Sequence, residues 1–93
     1  MFASGKVGSD RSNFAAECES ALLAVETELA RHGLGPADVV SVTVHLGDIG
    51  DYAAFNDVYR RHFHAPFPAR TCVAVAGLPS GAHVEITCTA VAR

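Results

Sequence analysis

Apolar positions along this chain switch between two spacings, and each switch marks the boundary of an element. Between Asn13 and His32 the residues Phe14, Cys18, Ala21, Leu22, Val25 and Leu29 recur at three- and four-residue steps, one stripe of an amphipathic helix. Ser12 or Asn13 can cap its start, Gly33 suits the left-handed position past its end, and Pro36 prevents continuation. From Val39 to Leu46 the period is two: Val40, Val42, Val44 and Leu46 point one way, Ser41, Thr43 and His45 the other. Gly47 to Asp51 breaks this strand, with Asp51 placed as an N-cap. Tyr52, Phe55, Val58, Tyr59 and Phe63 then form a second helical stripe that stops before Pro66 and Pro68.

Arg70 to Ala76 reads as a strand, with Val73 and Val75 on one face and Arg70, Cys72, Ala74 and Ala76 on the other. Gly77 to Gly81 is a turn. His83 to Val91 is the last strand: Val84, Ile86, Cys88 and Ala90 face one way, His83, Glu85, Thr87, Thr89 and Val91 the other. At the N-terminus Phe2 to Val7 is strand-like, and its Ser4-Gly5 pair is turn-prone or marks a bulge.

The order is β-α-β-α-β-β, a two-layer α+β domain with two helices on one face of a four-stranded sheet. The faces bearing Val40/Val42/Val44, Val73/Val75 and Val84/Ile86/Cys88 belong under the helices. The opposite face would carry Thr43, Cys72, Ala74, Ala76, Thr87, Thr89 and Val91, and lacks the Lys and Glu of a solvated face. With no helix left to cover it, the expected cover is another copy of the chain, making a homo-oligomer.

Composition narrows the function classes. At 93 residues, with 49% hydrophobic and 18% charged residues, the chain is one globular domain with a large exposed fraction. A net charge of −3 and seven scattered Lys and Arg residues give no basic patch for nucleic acid. No segment has the length of a membrane span, and no charged stretch followed by an apolar one opens the chain. Cys18, Cys72 and Cys88 form no CxxC pair and sit among apolar residues, as expected of reduced thiols in a cytoplasmic protein.

Two side chains are out of character on the second face, Arg70 and Glu85. A short connection suggests that their strands pair antiparallel, which would bring the two together. A structural salt bridge at a subunit interface would explain them without catalysis. Alternatively, a guanidinium fork binds carboxylates at two points, and a desolvated carboxyl can orient or deprotonate water. Cys72, two residues from Arg70, reads as packing rather than as a nucleophile, since no base is placed beside it. The five histidines have no ligand spacing, so no metal is expected. Asn56 in mid-helix is unfavourable by propensity and hints at a specific hydrogen bond.

The run Phe67-Pro68-Ala69-Arg70-Thr71-Cys72-Val73-Ala74-Val75, then Leu78-Pro79, then Val84-Glu85-Ile86 through Ala90-Val91-Ala92, closely resembles the C-terminal signature of the Rid family. These are the reactive intermediate deaminases, also called the YjgF family or L-PSP endoribonucleases. Phe2 to Val7 resembles the family's strand ending in Ser-Gly, Leu34 to Val44 its second strand, and Asp51 to Tyr59 its second helix. The resemblance implies a chorismate-mutase-like fold assembled as a homotrimer with three clefts between subunits. It also implies cofactor-free hydrolysis of 2-imino or 2-enamino acids to 2-oxo acids and ammonia. By position, Arg70 would clamp the substrate carboxylate and Glu85 would orient water, while Ser4, Gly5, Asn56 and Cys72 would line the cleft. The expected unit is a single Rid-like domain over residues 1–93. A further N-terminal strand, whose loop carries an aromatic residue closing the site, has no counterpart here, and the segment from Gly8 to Phe14 is shorter than the family's loop. A more open cleft or a drifted substrate is implied.

An imine or enamine deaminase is therefore the first reading. A non-catalytic trimer that binds small carboxylates is the alternative, since Arg70 serves both while Glu85 is needed only for hydrolysis. A ribonuclease fits poorly with the acidic charge, and a chorismate mutase would call for more than one cleft cation.

Overall fold

In the computed structural model, which describes residues 2–65 and 67–92 and only the backbone of Ser4, the elements follow the two periodicities. The strand β1 (Phe2–Val7) leads into α1 (Phe14–Arg31), whose start is capped by Asn13: its Oδ1 accepts from the Ala16 N–H at 2.8 Å. At the other end Gly33 takes φ +71°. The Leu34 N–H reaches the Leu29 carbonyl at 2.9 Å and the Gly33 N–H that of Ala30 at 3.1 Å, the pair of bonds that closes a helix through a left-handed residue. The strand β2 (Val39–Leu46), helix α2 (Tyr52–Tyr59) and strands β3 (Ala69–Ala74) and β4 (Val84–Ala90) follow, joined by single 3₁₀ turns at Pro36–Asp38, Ile49–Asp51 and Pro79–Gly81.

The sheet order is β1-β4-β2-β3. β4 runs antiparallel to both β1 and β2, while β3 lies parallel to β2 at the edge, with α2 as the crossover. β3 and β4 are therefore not neighbours, contrary to the expected antiparallel pair. The segment 75–83 carries the chain past the end of β2, where the Gly47 N–H bonds the His83 carbonyl at 3.0 Å. Pairing with two antiparallel partners gives β4 a full set of ladder bonds that an edge place beside β3 would not.

Three other expectations change. Val40 is exposed and Val39 buried, because the register slips between Val39 and Ser41 opposite Ala90 and Thr89, a bulge that rotates Val40 off the core face. The second helix ends at Tyr59 rather than Phe63, although Phe63 is still buried through a further turn and stacks on Tyr59. Pro66, expected to help stop it, lies outside the described residues. Most consequential, β3 is inverted. Val42 pairs with Arg70, Val44 with Cys72 and Leu46 with Ala74, and paired residues leave a sheet on the same side. Arg70, Cys72 and Ala74 thus face the helices, and Thr71 and Val73 face away, with Val73 43% exposed.

The core lies between the helices and the sheet: Leu22, Val25 and Leu29 of α1, Phe55 and Val58 of α2, and Val42, Val44, Leu46, Val84, Ile86 and Cys88 beneath. Among the described residues one carboxylate enters it. Glu17 is only 1% exposed, and its two oxygens receive the His83 backbone N–H at 2.7 Å and face the His83 ring Nδ1 at 2.9 Å. This stitches the first turn of α1 to the start of β4. The chain after β1 passes so close to α1 that a Cβ at Gly8 would stand 2.2 Å from the Glu17 carbonyl oxygen. Gly8→Ala is expected to lower unfolding free energy by about 1–3 kcal/mol, the usual cost of overpacking. Urea denaturation checks this, and an unchanged midpoint would mean that the backbones separate freely there.

Candidate functional site

Arg70 stands on the edge strand beneath α2, and the helix supplies neutral partners for it. Nη1 donates to Asn56 Oδ1 at 2.5 Å and Nη2 to the Tyr52 hydroxyl at 3.0 Å. The guanidinium carbon lies 4.8 Å from the Tyr59 ring centroid and 5.6 Å from that of Tyr52, within cation–π reach. Tyr52, Asn56 and Tyr59 are spaced to look down one side of α2, which explains the mid-helix Asn. No carboxylate among the described residues forms an ion pair with Arg70. Its charge is oriented but not neutralised. It borders a pocket of about 300 Å³ with Asn56, Tyr59, Arg60, Phe67 and Pro68.

Glu85 is on the other face of the sheet. It pairs with His45 of β2 on one side and Val7 of β1 on the other. Its Oε1 lies 3.1 Å from His45 Nδ1, with the Glu85 side chain 16% exposed. The expected irregularity at Ser4-Gly5 is present: the register slips between Ala3 and Lys6, Gly5 takes φ +61°, and its N–H donates to Thr87 Oγ1 at 3.0 Å. A Cβ at Gly5 would lie 3.6 Å from Glu85 Oε2, so Gly5 opens a notch beside that oxygen. The Ser4 side chain lies outside the described residues.

The structure thus brings Arg70 together with Asn56, and Glu85 with Gly5, but sets the two groups on opposite faces. The expectation that Arg70 and Glu85 share a neighbourhood within one chain is corrected by the inverted β3 and by β2 lying between their strands. Cys72 is on the Arg70 side, against the core. Burial raises its thiol pKa and the Arg70 charge opposes this only in part; burial pushes Cys18 up to about 12 and also raises Cys88. All three are free thiols, held in the protonated and weakly nucleophilic form. Among the described residues no group of three or more His, Cys, Asp or Glu side chains could hold a metal ion, and no helix is long and apolar enough to cross a membrane.

Sequence spacing alone did not reveal the carboxylate partners of the histidines. Besides His45 with Glu85 and His83 with Glu17, His62 sits between Glu19 and Glu26 at 2.8 and 2.5 Å. The role of Tyr52 was also hidden, because it counted as one more member of an apolar stripe. The signal that could have found it was the i, i+4 spacing of Tyr52 and Asn56.

The sequence matches the family described as "Endoribonuclease L-PSP" over residues 1–92. It is 38% identical over 98 residues to a 2-iminobutanoate/2-iminopropanoate deaminase of Capra hircus, covering 98% of this chain and 72% of that one. It is 39% identical to a RutC family protein of Haemophilus influenzae, covering 98% and 71%. The YJGF gene product of E. coli superposes with a TM-score of 0.90 at 31% identity, over 99% of this chain and 80% of that one. E. coli TdcF with bound serine superposes at 0.91 and 28% identity, over 99% and 80%. The chain belongs to this endoribonuclease L-PSP family, the YjgF or Rid family, and its two helices and mixed sheet are that family's α+β fold.

One polar atom near Arg70 is unsatisfied. The Tyr59 hydroxyl is buried with no hydrogen-bond partner among the described residues, and burial raises its pKa against the pull of Arg70. Such a group costs about 1–3 kcal/mol. Tyr59→Phe, which keeps the ring under the guanidinium, is expected to raise unfolding free energy by about 1 kcal/mol. A lower melting temperature would show that the hydroxyl is bonded in solution.

Proposed function

We propose that this chain is an imine and enamine deaminase that hydrolyses small 2-imino acids to 2-oxo acids and ammonia, at clefts between the subunits of a homotrimer with chorismate-mutase-like architecture. The observation that carries the reading is Arg70, preset by Asn56 and Tyr52 in the lining of a pocket and, among the described residues, without an anionic partner. A two-point fork of this kind is suited to the carboxylate of an imino acid. The relatives named as 2-iminobutanoate/2-iminopropanoate deaminases support the substrate class.

The trimer is supported by the uncovered sheet face. Phe2, Val73 and Val91 are 66%, 43% and 49% exposed around Thr43, Thr87 and Thr89, a surface suited to a second copy. Docking the Arg70 edge of one subunit on the Glu85 face of the next would join the two half-sites. Cys72 would then back the pocket from the core side, and Ser4 and Gly5 would border the notch.

With substrate clamped by Arg70, a water at Glu85 Oε2 attacks C2 of the iminium. The O–C2 bond forms, the C=N π pair moves to nitrogen, and a water proton passes to Glu85. Glu85 returns that proton to nitrogen; the C–N bond then breaks as the hydroxyl electrons form C=O and its proton leaves through Glu85. Iminium and water give ketone, ammonia and a proton. No cofactor is called for.

A nuclease reading is opposed by the placement of the cations. Lys6 and Arg31 pair with Glu28, Arg60 with Asp57 and Arg61 with Glu19, while Arg11 bonds the Gly8 and Ser80 carbonyls. Among the described residues none gathers into a patch for phosphates. A non-catalytic carboxylate binder is favoured by one finding, the serine in the TdcF structure, and is separated from the catalyst below.

Light scattering should give about three times the 9.7 kDa subunit mass; a stable monomer would remove the composite site. Ammonia release should be measured from freshly generated 2-aminoacrylate and 2-iminobutyrate. Arg70→Lys should weaken 2-oxobutyrate binding by about 1.5–3 kcal/mol, and unchanged calorimetry would end the clamp assignment. Glu85→Gln should cut turnover by about 10²–10⁴-fold with 2-oxobutyrate binding retained. A wild type that binds 2-oxobutyrate but releases no ammonia is the binder.

A further inference from the structure

We infer that His45 is a positioning residue that fixes Glu85 for proton transfer, an assignment that rests on the deaminase reading above. The two face each other across β2 and β4 in one register position, with His45 Nδ1 3.1 Å from Glu85 Oε1. An ionised carboxylate only accepts hydrogen bonds, so Nδ1 carries the proton and donates it. The next residues in the same row are Val7 on β1 and Val73 on β3. Among the described residues no second donor bonds Glu85 Oε1 from either side.

The two carboxylate oxygens are therefore not equivalent. Oε1 is held by the imidazole, while Oε2 faces the notch opened by the Gly5 backbone. Holding one oxygen fixes the rotation of the carboxylate plane and aims the other at the water. An unrestrained carboxylate would present that oxygen in only a fraction of its rotamers. His45 is half-exposed on this face, its side chain 35% exposed, and touches no group of the Arg70 half-site among the described residues. Its contribution falls on turnover and not on binding.

Steady-state ammonia release from 2-iminobutyrate tests this with two variants. His45→Leu should lower kcat about ten- to a hundredfold, as the loss of a partner that orients a metal ligand does, with KM and oligomer mass unchanged. His45→Asn, whose amide nitrogen stands where Nδ1 stands, should recover most of the loss. Leucine within twofold of wild type, asparagine as impaired as leucine, or an effect on KM alone overturns the assignment while leaving the deaminase reading in place. Wild-type protein without turnover overturns both. Should His45→Leu fail to fold, the ring ¹⁵N spectrum of the wild type decides: Nδ1 protonated, and altered in Glu85→Gln, supports the assignment, and a proton on Nε2 alone overturns it.

Discussion

Side chains of laterally paired residues leave a sheet on the same side, so the pairing of Val42 with Arg70 and of Val44 with Cys72 decides where the guanidinium goes. A slip of one residue would have put Arg70 on the open face with Thr43 and turned Thr71 and Val73 under the helices. In the observed register its stem lies beneath α2, and the aromatic and amide side chains of that helix close around the charged end. The same register turns Thr71 and Val73 outward, which completes the small, weakly polar surface that the helices leave bare. The position of the cation and the incompleteness of the sheet thus have one cause.

The elements themselves were legible in the sequence because each periodicity is long and uninterrupted. The α1 stripe, its Asn13 cap and its Gly33 ending all agree on one helix. The bulge at Ser4-Gly5 was legible because glycine beside serine is a poor strand interior. What could not be read was which strands touch. Alternation gives two faces to a strand but does not say which is inner, and in β3 the larger valines pointed the wrong way. Inner and outer there are set by the parallel register and by the partners α2 offers to Arg70. Val40 misled for a related reason, since a bulge breaks alternation without leaving a mark in a run of valines. The carboxylate pairs of His45, His62 and His83 depend on contacts between residues 36 to 66 positions apart, which no local spacing encodes.

Glu17 and Glu85 show how differently one residue type is used. Glu17 is sealed in the core with both oxygens engaged by His83, the condition under which a buried carboxylate is tolerable. It has no oxygen left for chemistry, and its work is to hold β4 against α1. Glu85 has one engaged oxygen and one beside an opening. The histidine partner is common to both, and the number of oxygens left unengaged among the described residues is what would separate a structural carboxylate from the reactive one proposed.

The separation of Arg70 from Glu85 bears on why the proposed site would be built from two subunits. Opposite charges placed side by side in one chain would pair with each other, and each would then be a poor ligand for anything else. Here the guanidinium is oriented by groups that carry no charge, an amide oxygen, a phenol and an aromatic face, so in the proposed site its full charge would remain for an incoming carboxylate. The carboxylate is oriented by an imidazole on the opposite side of the sheet. Within one chain neither half neutralises the other. In the proposed cleft a substrate bearing a carboxylate at one end and an electrophilic carbon at the other would be the bridge between them, and its length would set the distance across which the two faces must meet.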